Sequence, residues 1–196
     1  MIKPFPVILI FFISCIASTA MPQSAGINTF NSISIRINAV SNRSTDDLNR
    51  YWTGDKGFEG AVQTPFYFGD IQVGIRYIPY KEKEPYYHDF STFFYFLGWG
   101  EELKLPLNCS FYTGIKFGGF GMAFHDDSLT IYQKDETEFA AGINSYFAFM
   151  VFKNFQLVFG ADYTKVYTHK KIELFLLSGG LSYAFQTPRW LKDILN

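Results

Sequence analysis

Apolar and polar residues alternate along most of the chain beyond residue 30, in stretches separated by polar segments. The pattern is clearest at 33–40, where three isoleucines alternate with serine, arginine and asparagine. Successive side chains of an extended strand point to opposite faces, so a two-residue period predicts a strand with one apolar face. Eight strands are predicted, over 33–40, 62–68, 71–80, 90–99, 107–120, 137–152, 155–167 and 172–185.

The connections between these strands alternate in length. Polar segments at 41–60, 81–89, 121–136 and 168–171 are predicted loops, and 69–70, 100–106 and 153–154 are predicted turns. Antiparallel strands place the loops at one end and the turns at the other. An even strand count with this arrangement predicts an all-β, eight-stranded, antiparallel up-and-down transmembrane β-barrel, which closes so that no strand edge is unpaired. Strand 90–99 is aromatic on both faces, so the pattern leaves its orientation open.

Composition supports strands rather than helices as the membrane-spanning elements. Aromatic residues are 20 % of the chain, with 23 Phe and 13 Tyr, but the mean hydropathy is only +0.02. The first twenty residues have the features of a signal peptide, namely Lys3, an apolar run over 7–16 and a small-residue site at 18–20. We predict cleavage after Ala20. Cys109 then remains alone, so no disulfide within the chain is expected.

The last predicted strand carries a more specific pattern. The segment 178–185 reads S-G-G-L-S-Y-A-F, with a polar residue at Ser178, a glycine at Gly180 and aromatic residues at Tyr183 and Phe185. It resembles the signal by which the barrel-assembly machinery of Gram-negative bacteria recognises its clients. Over residues 27–185 the chain resembles the small outer-membrane β-barrel domain family. The resemblance implies an outer-membrane location in contact with lipids and lipopolysaccharide, and members of the family have diverse functions.

The remaining segments flank the predicted barrel domain. Residues 1–20 are the predicted signal peptide, 21–26 a short periplasmic segment and 186–196 a C-terminal tail. Thr187 could cap a short helix with Pro188 in its first turn, and Trp190 would begin its apolar stripe. We interpret the tail as an amphipathic helix at the inner membrane–water boundary. The alternative is a tail that docks on a periplasmic partner.

The alternation also places charged residues inside the predicted barrel. These residues are Arg36, Arg76, Lys116, Glu138 and Asp162. Charges in the middle of strands would be costly on a lipid-facing surface. An eight-stranded barrel is narrow enough for side chains to fill it, so an ion-pair network that plugs the lumen is expected. The excess of cations suggests that Tyr112, Tyr146 or another carboxylate joins it. The alternative is a narrow polar pathway.

No motif in the sequence predicts catalysis or cofactor binding. The three histidines, His88, His125 and His169, fall in predicted loops, where solvated residues are the simplest interpretation. A divalent-ion site is a weaker hypothesis, because their spacing matches no metal motif. Lipid A deacylases of the outer membrane use a Ser/His/acid set, and Asp126 and Ser128 offer an acid and a serine beside His125. Their spacing differs from the deacylase pattern, and no metal or other cofactor is expected.

These observations favour a non-enzymatic outer-membrane protein, monomeric, with a plugged polar lumen. Its expected role is membrane integrity or surface interaction through the loops at 41–60 and 121–136. A formal net charge of −1 gives no indication of nucleic-acid binding. Three alternatives remain open, namely a lipid A-modifying enzyme, a narrow small-solute channel and a soluble lipocalin-like carrier. The carrier would require apolar residues inside and polar residues outside.

Overall fold

The computed structural model describes residues 29–44, 47–83, 88–124, 135–168 and 172–195. The predicted signal peptide and the segment 21–26 lie outside these ranges. Strands dominate the described part of the chain, with two short helices. In chain order the elements are β1 (Ser32–Asn42), α1 (Asp47–Tyr51), β2 (Trp52–Gly54), β3 (Gly57–Pro65), β4 (Asp70–Glu82), β5 (Phe90–Leu105), β6 (Cys109–Phe124), β7 (Asp135–Phe152), β8 (Phe155–Val166), β9 (Ile172–Gln186) and α2 (Arg189–Leu195).

Eight of the strands form a closed antiparallel barrel, as the alternation predicts. Each pairs with its neighbour in the chain, and β1 closes the ring by pairing with β3 on one side and β9 on the other. Ser34 shows the closure, since it lies opposite Gln63 of β3 and Ala184 of β9. The short strand β2 continues the line of β3 along β4, with Thr53 opposite Lys81.

The outer surface of the barrel is apolar. Each barrel strand turns at least one large apolar side chain outward, for example Ile37, Val62, Ile75, Leu97, Ile115, Ile143, Phe159 and Leu181. Ile37 is 66 % exposed, although its neighbours Arg36 and Asn38 are buried inside the barrel. A soluble carrier would require the opposite arrangement, because exposed apolar area in water is unfavourable.

The interior is divided into an apolar and a polar half. Towards the end that bears the long connections, buried side chains such as Val40, Ile78, Phe94 and Leu174 form one continuous hydrophobic cluster. The rings of Tyr80 and Phe90 stack there with centroids 4.9 Å apart. Strand β5 contributes Phe90, Phe94 and Phe96 to the interior and turns Tyr95, Leu97 and Trp99 outward. The aromatic character of both its faces therefore has two separate causes, a buried hydrophobic cluster on the inside and an apolar surface on the outside.

Several element boundaries differ from the sequence prediction. Strand β3 begins at Gly57, inside the predicted loop 41–60, which also contains α1 and β2. The predicted turn 100–106 is mostly strand, because pairing between β5 and β6 continues from Gly100↔Gly114 to Leu105↔Cys109. The reversal occurs instead around Leu107 and Asn108, whose φ angles of 63° and 55° give the left-handed backbone of a tight hairpin.

The tail forms the predicted short helix, α2, at the turn end of the barrel. The main-chain N–H groups of Leu191 and Lys192 donate to the carbonyl of Pro188. The predicted cap does not form, because Oγ1 of the buried Thr187 has no hydrogen-bond partner among the described residues. Lys192 Nζ instead ties the helix to Asn31 Oδ1 at 2.8 Å. Within the described ranges no helix is long and apolar enough to span a membrane.

Candidate functional site, a buried charge cluster

Four charged side chains from four different strands meet inside the barrel. They are Glu59 of β3, Arg76 of β4, Lys116 of β6 and Asp162 of β8, and all four are buried. Each occupies an inward position of its strand, so the pleat alone aims the side chains at the barrel axis. Arg36 of β1 reaches the same region, with its Nη2 3.8 Å from Glu59 Oε1.

Arg76 is the centre of this cluster and is only 3 % exposed. Its Nη2 lies 2.6 Å from both Glu59 Oε2 and Asp162 Oδ2, so one guanidinium bridges the two carboxylates. Nε donates a second bond to Glu59 at 2.9 Å, and Nη1 a second bond to Asp162 at 3.1 Å. Thr164 Oγ1 donates to Asp162 Oδ1 at 2.6 Å. The planar guanidinium thus satisfies two carboxylates that would otherwise repel each other.

Lys116 bridges the same pair of carboxylates from another strand. Its ammonium nitrogen lies 3.0 Å from Glu59 Oε2 and 3.1 Å from Asp162 Oδ2. The same nitrogen lies 4.3 Å from the ring centroid of Phe96, within the range of a cation–π contact. Two cations and two anions therefore alternate in a closed group, an arrangement that offsets part of the cost of removing all four charges from water.

Arg36 connects the closed group to a chain of amides. Its Nη2 donates to Gln72 Oε1 at 3.3 Å, and Gln72 Nε2 donates to Gln63 Oε1 at 2.9 Å. Gln63 Nε2 then donates to Asp70 Oδ2 at 3.0 Å. Asp70 is thus a third buried carboxylate, linked to the third cation through two glutamines. With it this network, as far as the chain is described, contains three cations and three anions.

A stacked pair of tyrosines packs against the guanidinium of Arg36. The guanidinium carbon lies 4.2 Å from the ring centroid of Tyr146, which stacks on Tyr112 with centroids 4.7 Å apart. The Tyr146 hydroxyl donates to Gln63 Oε1 at 2.6 Å. The sequence suggests Tyr112 or Tyr146 as a member of the network, and the structure places Tyr146 in direct contact with it.

Two cavities adjoin the cluster. One has a volume of about 10 Å³ and is lined by Arg36, Glu59, Arg76, Lys116 and Asp162, together with Asn38 and Asn144. The other has a volume of about 140 Å³ and lies at the turn end, between Arg36, Gln63, Glu102, Tyr146 and the serines at 32, 34 and 182. Water entering from the turn end therefore meets a polar vestibule whose inner wall includes Arg36.

The Tyr146 hydroxyl offers a mild test of this network. The variant Tyr146→Phe should lose about 0.5–1.5 kcal/mol of unfolding free energy, the usual net contribution of one hydrogen bond. The loss stays small because Gln63 Oε1 keeps its bond from Gln72 and the ring remains under Arg36. Urea unfolding in lipid vesicles, followed by tryptophan fluorescence, measures it. Tyr146→Leu should cost more because it also removes the cation–π contact, and equal losses would contradict this assignment.

The sequence grouped Arg36, Arg76, Lys116, Glu138 and Asp162, and the structure differs at Glu138. Glu138 is half-buried opposite Phe120, and the described ion pairs of the cluster do not include it. Alternation gives the face of a strand but not the height along it, and Glu138 sits close to the loop end of β7. The second carboxylate of the cluster is instead Glu59, which the polar composition of 41–60 places in a predicted loop. Its inward position between Gly57 and Ala61 was the available signal.

The residues of the resembled assembly signal lie at the seam that closes the barrel. Tyr183 and Phe185 of β9 face Ile35 and Ile33 of β1. Ser178 and Gly180 lie opposite Val40 and Asn38 in the same ladder. The four residues therefore lie at the junction of the first and last strands of the barrel.

The hypothetical loop sites are only partly visible. His125, Asp126, Ser128 and His169 lie outside the described residues. His88 is exposed, and its main-chain carbonyl accepts a hydrogen bond from Trp52 Nε1 at 2.9 Å. In the described part of the chain no group of three or more His, Cys, Asp or Glu side chains is placed to hold a metal ion.

Both carboxylates of the closed group are engaged in ion pairs. Each carboxylate of the closed group is held by two cations, so neither Glu59 nor Asp162 is placed to act as a free base. The cluster links four strands, β3, β4, β6 and β8, through ion pairs across the interior of the barrel.

The fold is that of the small eight-stranded barrels of bacterial outer membranes. No protein-family model matches the chain, and no curated protein matches it. Among solved structures, Neisserial surface protein A has a TM-score of 0.54 at 18 % identity, covering 79 % of this chain and 96 % of that one. The N-terminal barrel domain of Pseudomonas aeruginosa OprF has a TM-score of 0.55 at 13 % identity, covering 80 % and 99 %. Ail, the attachment invasion locus protein of Yersinia pestis, has 0.50 at 16 %, covering 79 % and 97 %.

Proposed function

We propose that the protein is an integral outer-membrane barrel without enzymatic activity, closed to solutes and exposing its loops at the cell surface. The observation that supports this most directly is the apolar outer face on all eight barrel strands, combined with charges that are buried inside. This is the arrangement of a protein whose solvent is hydrocarbon. The similarity to outer-membrane barrels in fold supports the same location.

The connections give the orientation that we propose. The chain reverses within Lys153–Asn154 between β7 and β8 at one end, and both described termini lie at that end. Outer-membrane barrels keep short turns in the periplasm and longer loops outside. The N-terminal and C-terminal segments would then be periplasmic, as expected for a chain delivered by a signal peptide and recognised through its last strand.

The experiment that tests location and fold is electrophoresis of the washed outer-membrane fraction with and without boiling. A closed barrel resists detergent, so the unboiled protein should migrate at a different apparent size from the boiled protein. We expect this shift, and we expect the protein to remain with the membranes after a carbonate wash. Protein in the soluble periplasm with no shift would overturn the proposal.

The closed lumen makes a separate prediction. The apolar cluster fills the outer half of the interior and the charge cluster fills the middle, so purified protein in a planar bilayer should give no steady conductance. Porin-sized steps would contradict a filled interior. The variant Phe94→Ala/Phe120→Ala provides the comparison, because it removes two rings whose centroids lie 6.3 Å apart and keeps every charged side chain, losing from the cluster only the Phe94 ring 5.6 Å from the Arg76 guanidinium carbon. It too should remain closed, since the ion pairs still occupy the middle.

A surface role for the loops fits this arrangement. The charged side chains inside the barrel are buried and paired with one another. The loop end is therefore the part of the molecule that is free to contact other molecules. We propose that the loops contact a ligand or the lipopolysaccharide layer, with the barrel as the anchor. Comparing the lipid A acylation pattern of cells with and without the protein tests the enzymatic alternative, and a changed pattern would overturn the non-enzymatic assignment.

A further inference from the structure

The turn end of the barrel carries large apolar side chains that the barrel itself does not cover. Leu107 is 96 % exposed, Phe68 83 %, Phe152 71 % and Trp190 64 %. These four residues, from three turns and helix α2, form what we call the turn rim. Turns that face water usually consist of Gly, Asn, Asp, Ser and Pro. Apolar groups that are exposed together at one end of the barrel, rather than scattered singly, are typical of a surface that contacts something outside the chain.

The backbone at two of these turns strengthens the argument. Leu107 has a φ of 63°, and Tyr67, next to Phe68, has a φ of 41°. Glycine or asparagine adopts a left-handed backbone at lower cost than a bulky residue does. At Leu107 the chain therefore places a large apolar side chain where local geometry disfavours it, and at 96 % exposure this side chain adds little to the packing of the barrel. A role in binding explains both features.

The rim adjoins the apolar outer surface of the barrel strands, which we call the belt. The last pair between β4 and β5 is Asp70↔Gly100, but pairing between β5 and β6 continues to Leu105↔Cys109. This hairpin therefore projects beyond β4, while on its other side the carbonyl of Asn108 still accepts a hydrogen bond from the main-chain N–H of Met150 in β7. On β7 the outward residues Phe147, Phe149 and Val151 are all exposed, so apolar surface runs unbroken from the belt towards Phe152.

Basic residues accompany the rim. Lys104, Lys153 and Arg189 are exposed, and Lys153 and Arg189 are the sequence neighbours of Phe152 and Trp190. The acids described as exposed at this end include Glu101 and Glu102, which lie on β5 nearer to the barrel body than Lys104, and the sequence of α2 also contains Asp193. Aromatic and apolar side chains beside lysine and arginine are typical of protein that sits among phospholipid headgroups, where the cations approach phosphate.

We infer that the turn rim lies in the headgroup layer of the inner leaflet and binds anionic phospholipids there. The rim side chains reach the headgroup-proximal segments of the acyl chains, and Lys104, Lys153 and Arg189 lie beside the phosphates. The inference rests on the proposed membrane-spanning function. It goes beyond that function because it assigns a lipid contact to turns that would otherwise extend into the aqueous periplasm.

Spin labels on single cysteines test the position of the rim. In the full chain with Cys109→Ser, labels are placed by Leu107→Cys at the rim, Ile143→Cys in the belt and Thr53→Cys at the loop end. The protein is reconstituted in vesicles of phosphatidylethanolamine and phosphatidylglycerol, and collisions with oxygen and with a water-soluble nickel chelate are measured. The label at 107 should be shielded from nickel to a degree between those of the labels at 143 and 53.

The outcomes separate the two proposals. A label at 107 as accessible to nickel as the label at 53 overturns the rim inference but leaves the membrane-spanning barrel intact. A label at 143 that nickel reaches freely overturns both. A label at 107 that is open to nickel in vesicles but shielded in native outer membranes indicates a protein partner, which also overturns the inference.

The basic residues are tested by lipid retention. Native mass spectrometry of protein released from nanodiscs reports bound phosphatidylglycerol against phosphatidylcholine. The variant Lys104→Gln/Lys153→Gln/Arg189→Gln should retain at least roughly fivefold less phosphatidylglycerol, because each removed cation weakens attraction to an anionic surface by about that factor. The matched control Lys56→Gln/Lys81→Gln/Lys165→Gln removes three cations from the loop half. An equal loss in both variants would overturn an anionic-lipid site at the rim.

Discussion

Replacing Arg76 by leucine should lower the unfolding free energy of the barrel by roughly 3–5 kcal/mol, the usual cost of breaking a buried ion pair by removing one partner. Arg76 is the group that bridges Glu59 and Asp162, and without it two buried carboxylates face each other with Lys116 alone between them. Urea unfolding in lipid vesicles, followed by tryptophan fluorescence, measures the loss.

Two further variants make this result interpretable. Arg76→Lys keeps the charge but cannot bond both carboxylates with a planar fork, so its loss should be intermediate. Glu138→Gln alters the acid that the sequence grouped with the cluster, and it should change stability by no more than about 0.5 kcal/mol. If Glu138→Gln destabilised the barrel as much as Arg76→Leu, the assignment of Glu59 rather than Glu138 to the cluster would be wrong.

Replacing Gly180 by alanine should be the most disruptive small substitution at the barrel seam. A Cβ atom there would lie 2.0 Å from the carbonyl oxygen of Ile37, across the ladder between β1 and β9. Because the obstacle is backbone, it cannot rotate away, and the two strands must separate locally. We expect a loss of roughly 1–3 kcal/mol or more, in the range of overpacked sites, with slower closure of the barrel during refolding.

The neighbouring glycine is the matched control. A Cβ at Gly179 would meet its nearest atom, a ring carbon of Phe159, at 3.5 Å, which is ordinary contact. Gly179→Ala should therefore change stability by no more than about 0.5 kcal/mol. The unboiled and boiled positions on a gel, recorded over a temperature series, compare the two variants with the unaltered protein. Equal behaviour of the two would show that the seam tolerates side chains at Gly180.

Most of the barrel could be predicted from the sequence because a barrel strand has a simple signal. Lipid outside and a filled polar or apolar interior impose alternation, and alternation survives in the sequence of nearly every strand. The first part of strand β3 was not predicted, because the outward-facing residues of this strand include Gly60, where an added Cβ would meet no atom within 4 Å. Without an apolar residue there, the segment resembles a polar loop, and Glu59 is lost with it.

The charge cluster could be predicted only in part for a related reason. Alternation assigns a face to each residue, but it carries no information about which residues of different strands share a height. Arg76 and Asp162 are 86 positions apart in the chain, and only the tilt and register of the closed sheet bring them together. The same limit explains Glu138, which faces inward but lies nearer to the loop end of its strand than the cluster does. It also explains Asp70, since its place at the start of β4 gave no indication of a link to Arg36.

The filled outer half of the lumen has a consequence for the chain before it is inserted. In the first half of β5 both faces are apolar, since Phe94 and Phe96 pack inside while Tyr95 and Leu97 face outward. Once the barrel is closed in lipid, neither face meets water. Under the proposed outer-membrane location the chain first passes through the aqueous periplasm, where the segment 90–99 has no polar side to present, and such a segment with high β-propensity readily self-associates. Under that location we therefore expect this segment to need shielding by periplasmic chaperones on the way to the membrane.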